Sequence, residues 1–412
     1  MELSVGIEAI NFYGGPACIN VQDIFKARGL NYDRFDNLMM DYKSVGLPCE
    51  DPVTNAVNAA KPIINLLNEN EKKSIEMIIT ASESGIDLAK SLSTYIHEYL
   101  EIHRNCRLFE IKQACYGGTA ALNMALCYIA SHPNKDAKVL VIATDVARAT
   151  LRMSYAETSQ STGAVAMLIS NKPDVLEIDF GANGFYSYEV MDTFRPTADI
   201  EMGDPDVAML SYLDCLENCY NHYSNKVENA DFLNTFDFIL YHVPFAGMVK
   251  GAHRRMLRQM YKYNGKEAEE DFKMRVEPSL AYSVQVGNVY SASLYLSLCG
   301  LIDHVKLNEF VRVGMFSYGS GCSSEFFSGI IPKHAKDMLM KVRIGENLDR
   351  RYRLSIDEYE KINVLNLKCL SNINNTVMIR SDYEDIYRHF FEGKDLLILN
   401  RIEDYHRKYI WS

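Results

Sequence analysis

The sequence lacks any apolar run long enough to cross a membrane. Its most apolar stretches, Val139–Ala143 and Phe236–Val243, fall far short of the ~20 residues that a spanning helix needs. The first ten residues carry two acidic side chains and no basic segment, so they do not resemble a secretory signal. We therefore expect a cytoplasmic protein without a membrane span.

Positive charge is also scarce. The chain has 43 Lys and Arg residues against 54 Asp and Glu residues, which gives a formal net charge of −11. A general nucleic-acid-binding protein needs a basic surface that displaces counterions from the phosphates, so the net charge argues against this class. An anionic partner would have to bind at a local basic patch.

The ten cysteines are scattered, and their spacing does not indicate a disulfide scaffold. Cys215 and Cys219 are followed by His222, which is one arrangement that metal ligands adopt. However, the surrounding residues Ser211–Val227 are predicted to be helical, and cysteines on such a helix usually pack as small apolar side chains. We expect no metal site.

The 412 residues exceed the ~250–300 at which one hydrophobic core usually stops growing, so two packed halves are expected. Predicted strands and helices alternate, which favours an α/β fold. The strands are predicted at Ser74–Ala81, Leu108–Lys112, Val139–Ala143, Gly163–Ser170, Val175–Phe180, Phe236–Val243, Phe310–Tyr318 and Ser324–Ile331. One helix is predicted to begin near Ser84, because Ser84 and Asp87 have capping-box spacing. Ser355 and Glu358 have the same spacing and predict another helix start. Further helices are predicted over about Gly117–Ser131, Ser211–Val227, Gly247–Tyr263 and Ser291–Leu301.

Polar side chains stand where predicted strands give way to helices or tight turns. They are Glu83, Cys115, His242, Asn288 and the serine within Gly319–Gly321. Ligands of open α/β folds bind at the carboxyl ends of the strands, so we expect these residues to converge. Cys115 precedes a predicted helix, whose dipole would stabilise a thiolate and lower the pKa of the thiol.

Each of these residues also has an ordinary structural explanation. Cys115 could be one more buried cysteine, and His242 a satisfied histidine at a strand end. Glu83 and Asn288 could serve only as helix caps. The Gly319–Gly321 segment could be a plain hairpin turn.

The ordered set of motifs resembles the 3-hydroxy-3-methylglutaryl-CoA synthases of the thiolase superfamily, over nearly the whole chain. The stretches that carry the resemblance are Val5–Glu8, Ser82–Gly85, Lys112–Tyr116, Ala143–Asp145, Gly163–Met167, His242–Phe245, Gly287–Tyr290 and Phe316–Gly321. Four further stretches look like the branch that acts on polyketide assembly lines, namely Arg104–Glu110, Tyr188–Thr193, Gly247–Arg254 and Cys322–Phe327.

This resemblance implies a role for each motif residue. Cys115 would accept the acetyl group, and Glu83 would remove a proton from its methyl group. His242, supported by Asn288, would bind the carbonyl of the acceptor. The backbone N–H groups of Cys115 and Ser320 would form the oxyanion hole.

The resemblance also implies a thiolase-like, five-layered αβαβα fold and a homodimer. We expect an N-terminal half over residues 1–171 and a C-terminal half over residues 172–412, which ends in a charged, helical region. No cofactor is expected, because the substrates are carried as phosphopantetheine or CoA thioesters. The expected partners are acyl carrier proteins or CoA thioesters.

Two features concern substrate binding. Between Asp145 and Gly163 the chain is shorter than its relatives, with Glu157-Thr158 and Ser161-Thr162 where relatives have Glu-Pro and Gly-Ala. Basic side chains recur every four residues along one predicted helix, so they share one face. These are Lys250, Arg254, Arg258 and Lys262, and they could either dock an acidic carrier or a phosphate or simply form a solvated surface.

The sequence thus favours an acyltransferase that adds acetyl to a β-ketoacyl thioester on a carrier protein and installs a β-branch in polyketide biosynthesis. One alternative is the synthase of primary metabolism, which uses acetyl-CoA and acetoacetyl-CoA. A ketoacyl-carrier-protein synthase is disfavoured by Glu83. A third alternative is a non-catalytic scaffold that binds acyl carriers.

Overall fold

The computed structural model describes residues 4–147, 153–197, 200–369 and 373–412. The strands are β1 Gly6–Tyr13, β2 Ala17–Asn20, β3 Tyr42–Ser44, β4 Ile75–Ala81, β5 Arg107–Ile111, β6 Lys138–Asp145, β7 Gly163–Ser170, β8 Leu176–Ser187, β9 Thr193–Thr197, β10 Ile200–Gly203, β11 Phe238–Tyr241, β12 Val311–Gly319, β13 Ser323–Ile331, β14 Tyr352–Leu354, β15 Thr376–Val377, β16 Leu397–Glu403 and β17 His406–Trp411.

The α-helices are α1 Val21–Arg28, α2 Phe35–Leu38, α3 Pro52–Leu66, α4 Glu69–Lys73, α5 Leu92–Tyr99, α6 Gly117–Ser131, α7 Tyr155–Ser159, α8 Pro205–Lys226, α9 Ala246–Tyr261, α10 Gly265–Arg275, α11 Ser283–Val286, α12 Ser293–His304, α13 Ala335–Val342, α14 Ile344–Asp349, α15 Ile356–Asn366 and α16 Glu384–Phe390. Within the described residues, no helix combines the length and the apolarity needed to cross a membrane.

The central sheet has nine strands in the order β11-β12-β13-β8-β1-β7-β6-β4-β5. Every residue of β6 and β7 is buried, which explains their continuous apolar sequences. A short antiparallel register joins β8 to β1, with Gly6 opposite Glu177 and Ile7 opposite Leu176. The strands of the first part of the chain therefore continue into those of the second part.

Helix α6 lies between these two groups of strands. It packs on β4 to β7, and Thr119 in its first turn donates a hydrogen bond to Ser317 of β12 at 2.7 Å. Thr119 also shares a hydrogen bond of 2.9 Å with Tyr295 of α12, which lies in the same layer. Because α3 covers β1, β6 and β7 and α8 covers β8 and β13, the expected five layers are present.

Most predicted elements lie within a few residues of the observed ones, and α6 has the predicted bounds. The predicted helix start near Ser84 is wrong, because α5 begins at Leu92 with Ser91 as its cap. The Ser84 hydroxyl is instead bonded to Asp145 at 2.9 Å, and Leu88 and Ala89 are exposed. The predicted strand Val175–Phe180 is longer than expected and runs to Ser187.

The C-terminal strands are tied to α3 through Asp51, which is buried. Its Oδ1 caps the helix by accepting from the backbone N–H groups of Val53 and Thr54. Its Oδ2 accepts from Arg407 Nη1 at 2.9 Å and from the Tyr409 hydroxyl at 2.8 Å, both on β17. One carboxylate therefore stabilises a helix start and a buried cation together.

Asp51→Ala should lower the free energy of unfolding by about 3–5 kcal/mol, because it leaves the buried Arg407 without its counter-charge. Asp51→Asn keeps an oxygen for the helix cap and should lose most of the same stability. Urea denaturation measures both, and Asn68→Ala, at the exposed cap of α4, should cost only about 0.5–2 kcal/mol. An Asp51→Asn variant as stable as the unmodified protein would contradict the role of the charge.

Candidate active site

Cys115 stands one residue before the N-cap of α6, at the end of the turn that follows β5. Ala114 has φ of 42°, in the left-handed region that non-glycine residues rarely adopt, and this conformation sets the direction of Cys115. Gly118 lets α6 approach the 3₁₀ turn before α12, because a Cβ there would lie 2.8 Å from the Ser291 carbonyl oxygen. The start of α6 is therefore fixed on both sides.

Glu83 meets Cys115 directly. The Cys115 thiol donates to Glu83 Oε1 over an Sγ–O distance of 3.2 Å. Burial, and then the Glu83 carboxylate, raise the pKa of the Cys115 thiol well above its usual value. The expected thiolate is thus wrong for the resting protein, because desolvation and a nearby carboxylate outweigh the start of the helix.

Asp145, at the end of β6, holds the segment that carries Glu83. Its Oδ1 accepts from the Ser82 hydroxyl at 3.1 Å, the Glu83 backbone N–H at 2.9 Å and the Ser84 hydroxyl at 2.9 Å. Burial, and then the charge of Glu83, raise the pKa of Asp145 to about 7. Asp145 belongs to the stretch Ala143–Asp145, which carries part of the family resemblance, but no role for it was predicted from the sequence.

Arg195 on β9 was not predicted. Its Nη1 lies 3.3 Å from Glu83 Oε2 and donates to the Glu83 carbonyl oxygen at 3.3 Å. Its guanidinium also pairs with Glu201 of β10 and lies 5.0 Å above the Tyr290 ring. The nearest stretch that carries the family resemblance, Tyr188–Thr193, ends two residues before Arg195 and therefore does not include it.

His242 follows β11, beside the end of β12. Its backbone N–H donates to the Phe316 carbonyl at 2.7 Å, and its own carbonyl accepts from the Tyr212 hydroxyl at 2.8 Å. Burial lowers the pKa of His242 to about 3, so the imidazole is neutral near pH 7. No described residue is hydrogen-bonded to its ring nitrogens, which leaves the ring available to a ligand.

The Asn288 side-chain oxygen is bonded within its own turn. Its Oδ1 accepts from the Tyr290 backbone N–H at 2.9 Å and from the Ser293 hydroxyl at 3.0 Å. Its backbone pairs with Ser159 and Ser161, which ties this turn to α7. The side-chain amide N–H₂ has no partner among the described residues.

The Gly319–Gly321 turn packs against the Cys115 loop. A Cβ on Gly319 would lie 2.4 Å from the Tyr116 backbone nitrogen, so only glycine allows this approach. Asp192 holds the turn from behind, accepting from the Gly321 N–H at 2.8 Å and from the Tyr318 hydroxyl at 2.5 Å. Ser320 is thereby placed beside the start of α6.

The segments that carry the five predicted residues are linked to the start of α6 by the contacts given above. Glu83 and Cys115 touch, and Ser320 lies on a turn in contact with the Cys115 loop. His242 reaches the same region because β11 pairs in parallel with β12, whose Ser317 is bonded to Thr119. Asn288 reaches it through the turn that contacts Gly118.

The basic residues of α9 are less available than their spacing suggests. Lys250 pairs with Glu269 of α10 at 2.8 Å, and Arg254 is half-buried beside the same helix. Lys262 follows the helix in a left-handed conformation, so it does not extend the face. Arg258 is exposed.

The segment between Asp145 and Gly163 is described only in part, since residues 148–152 lie outside the described residues. In α7, the buried Glu157 accepts from Arg28 at 2.8 and 2.9 Å, and its carbonyl accepts from Lys43 at 2.6 Å. This part of the segment is anchored to α1 and β3.

The Cys215 and Cys219 side chains are buried and pack on β13 and the turn before it. Cys215 Sγ lies 3.5 Å from Cys322 Sγ, and Cys219 Sγ lies 3.1 Å from the Ser324 hydroxyl. The described part of the chain brings together no group of three or more His, Cys, Asp or Glu side chains that could hold a metal ion.

Comparison with known families matches both parts of the chain. The N-terminal model of the hydroxymethylglutaryl-coenzyme A synthases matches residues 2–174, and the C-terminal model matches residues 176–271 and 258–409.

Individual relatives extend over most of the chain. The polyketide biosynthesis 3-hydroxy-3-methylglutaryl-ACP synthase PksG of Bacillus subtilis (strain 168) is 48% identical over 421 aligned residues, which cover 99% of each protein. The hydroxymethylglutaryl-CoA synthase of Enterococcus faecalis is 34% identical over 361 residues, covering 87% of this chain and 91% of the relative.

Solved structures of HMG synthases also superpose closely on this chain. The crystal structure of the HMG synthase of the curacin biosynthetic pathway superposes with a TM-score of 0.96 at 49% identity, covering 99% of this chain and 100% of that one. Its complex with an acetyl donor-ACP superposes with a TM-score of 0.95 at 48% identity over the same shares. With a family model over each part of the chain and relatives this similar, the chain belongs to the hydroxymethylglutaryl-CoA synthase family and has its thiolase-like fold.

Proposed function

We propose that this chain is an acyltransferase that loads an acetyl group onto Cys115 and adds it to the β-ketone of a β-ketoacyl thioester on an acyl carrier protein. Hydrolysis then releases a product with a new β-branch, as polyketide biosynthesis requires. The observation that carries the proposal is the 3.2 Å contact between Cys115 Sγ and Glu83 Oε1, which places a base beside the acyl-accepting sulfur.

The first step transfers the acetyl group. The Cys115 sulfur bonds to the acetyl carbonyl carbon as it loses its proton, and the donor leaves as a free thiol that carries this proton. Since the resting thiol is neutral, this deprotonation accompanies the arrival of the thioester rather than preceding it.

The second step forms the carbon–carbon bond. Glu83 removes a proton from the acetyl methyl group, and the resulting enolate carbon bonds to the β-carbon of the acceptor ketone. The ketone oxygen takes the proton back from Glu83 and becomes a hydroxyl. Water then cleaves the Cys115 thioester, which frees the thiol and leaves a carboxylate on the branch.

Two groups stabilise the developing charges in this proposal. The neutral His242 imidazole donates a hydrogen bond to the acceptor carbonyl, and Asn288 supports it. The backbone N–H groups of Cys115 and Ser320 donate to the oxygen of the acetyl thioester. Loss of one such donor typically raises the barrier by ~2.7–4 kcal/mol.

The carrier-bound substrates are favoured over free CoA thioesters by similarity. Identity to the ACP-linked synthases PksG and the curacin enzyme is 48–49%, against 34% for the CoA synthase of Enterococcus faecalis. The curacin enzyme has also been solved with an acetyl donor-ACP. The synthase of primary metabolism is the second candidate, because its reaction uses the same side chains.

The remaining features of the proposal come from the sequence. We divide the chain into halves at residues 1–171 and 172–412, which is supported by the passage from one family model to the other near residue 175. No cofactor is required, since the thioesters carry the reactive groups. A cytoplasmic location stays a prediction.

A homodimer is also proposed. It is supported by β5, which ends the sheet and pairs with β4 alone among the described strands. Leu108 and Phe109 on this strand are only partly buried. An edge strand with open N–H and C=O groups readily pairs with a strand of a second copy.

Cys115→Ala should abolish the acetyl adduct that intact-mass spectrometry detects after incubation with acetyl-carrier protein or acetyl-CoA. Glu83→Gln should still form the adduct but lose about 10²–10⁴-fold in the rate of condensation, because it lacks the base. Cys127→Ala, at an exposed cysteine of α6, is the control and should behave as the unmodified protein. An adduct that persists in Cys115→Ala would refute the proposal.

The raised pKa of Cys115 predicts slow alkylation of this thiol by iodoacetamide at pH 7. Glu83→Gln removes the neighbouring carboxylate, lowers the pKa of the thiol and should increase the alkylation rate about tenfold for each unit of change. Peptide mass spectrometry follows Cys115, with the exposed Cys127 as an internal reference. A slower reaction in Glu83→Gln would contradict the assigned direction.

The α9 surface is proposed to dock the carrier or the phosphates of its substrate arm, through Lys250, Arg254 and Arg258. Reversing charge with Arg254→Glu and Arg258→Glu should raise the KM for carrier-bound substrate about tenfold, which equals ~1.4 kcal/mol of binding. The control is Arg255→Glu, an exposed residue on another face of the helix. Unchanged kinetics would exclude this surface as the dock.

A further inference from the structure

Arg195 reaches Glu83 from a separate part of the chain. It lies on β9, which pairs with β10 in a two-stranded antiparallel sheet separate from the central sheet. Its Nη1 contacts Glu83 twice, at 3.3 Å from the carboxylate Oε2 and at 3.3 Å from the main-chain carbonyl oxygen. The guanidinium therefore touches both the side chain and the backbone of the proposed base.

Arg195 is itself held on two sides. Glu201 Oε2 accepts from Nε at 2.7 Å and lies 2.5 Å from Nη2, while Glu201 Oε1 accepts from the Gln160 amide at 2.8 Å. The Tyr290 ring lies beneath the guanidinium at 5.0 Å. With an 11% exposed side chain against 5% for Glu201, Arg195 is a nearly buried cation between two carboxylates.

The two oxygens of Glu83 thus have different neighbours. Oε2 faces Arg195, and Oε1 accepts from the Cys115 thiol. Because Arg195 contacts both Oε2 and the main-chain carbonyl of Glu83, the Glu83 carboxylate has little freedom to rotate. Its Oε1 therefore stays directed at the Cys115 sulfur.

We propose that Arg195 is a positioning residue for Glu83 and holds Glu83 Oε1 beside the acetyl group on Cys115. This inference rests on the proposed function of Glu83 as the base. Arg195 does not touch the reacting atoms and acts through Glu83. Its planar, permanently charged guanidinium can contact Glu83 and Glu201 at once, which a lysine ammonium cannot do with the same geometry.

The charge balance of the site supports this assignment. Among the described titratable groups, Cys115, Asp145, Arg195 and Tyr290 interact with Glu83. A negative charge on Asp145 opposes ionisation of Glu83, whereas the positive charge of Arg195 favours it. Burial raises the pKa values of both Cys115 and Asp145, and the positive charge of Arg195 partly offsets this rise.

The test compares Arg195→Met with Arg195→Lys. In Arg195→Met, the kcat of condensation should fall about 10²-fold, because a base misplaced by ~1 Å costs that much. Acetylation of Cys115, read by intact mass, should change by only a few fold. The acidic limb of the kcat–pH profile should move to higher pH, because the Glu83 carboxylate loses the cation 3.3 Å from its Oε2. Arg195→Lys should recover about tenfold in kcat and return the acidic limb toward its original position.

A readout without substrate separates this inference from the proposed function. Between pH 8 and 10, alkylation of Cys115 should be slower in Arg195→Met than in the unmodified protein, opposite to the effect of Glu83→Gln. The matched control is Arg275→Met, which removes a different buried arginine, paired with Asp271. This variant should leave the alkylation rate of Cys115 and the kcat–pH profile unchanged.

Two results would overturn the assignment. One is an unchanged alkylation rate together with an unmoved acidic limb in Arg195→Met. The other is an equal loss of acetylation and condensation that Arg195→Lys does not repair, which is the pattern of a purely structural residue. If the unmodified protein neither acetylates nor condenses, the proposed function fails, and the alkylation rates still decide whether Arg195 governs the Glu83–Cys115 pair.

Discussion

The proposed chemistry depends on the confinement of α6 between two groups of strands. The first turn of α6 is bonded to β12 through Thr119 and Ser317 and to α12 through Tyr295. Closely packed interiors transmit small displacements, so the position of Cys115 follows the position of this turn. Gly118 and Gly319 contribute by having no Cβ, which allows the backbone on each side to approach the Cys115 segment. A helix packed on one group of strands alone would lack the bonds to β12 and α12 that hold the Cys115 segment in place.

The site concentrates acidic groups in a protein interior, and its arrangement offsets the cost of burying them. Asp145 accepts three hydrogen bonds from Ser82, Glu83 and Ser84, which replaces much of its lost hydration. Glu201 is paired with Arg195. On the far side of α6, the buried Glu325 accepts from Tyr116 at 2.7 Å, Asn123 at 2.7 Å and Asn183 at 2.8 Å, although burial still raises its pKa. Each carboxylate near α6 is therefore tied to a specific neighbour, and together these bonds fix the loops that carry the site.

The sequence predicted those parts of the structure that depend on local patterns. Helix α6 has the predicted bounds Gly117–Ser131, and its sequence is mostly apolar. Strand β7 has the predicted bounds Gly163–Ser170, and its eight residues are all buried. The helix start at Ser84 failed because a serine followed by an acid three residues later fits a cap, whereas the hydroxyl was required by Asp145, 61 residues away. Arg195 was missed for the same reason, since its partner Glu83 is 112 residues away. The availability of the basic side chains on α9 was not predicted, because helical spacing cannot show that Lys250 is paired with Glu269 on the next helix.

The protonation states of Cys115 and His242 bear on the roles proposed for them and for Glu83. The pKa of Cys115 is raised and that of His242 is lowered to about 3, so both side chains are neutral near pH 7. A neutral thiol beside a carboxylate avoids placing two negative charges within 3.2 Å of one another. A neutral imidazole can donate one hydrogen bond to a ketone without adding a buried positive charge. In the proposed mechanism, acylated Cys115 has no proton to donate, so Glu83 Oε1 loses the hydrogen bond from the sulfur. The proposed base would therefore lose a stabilising donor just before it takes a proton from the acetyl methyl group, so acylation would prepare the site for enolate formation.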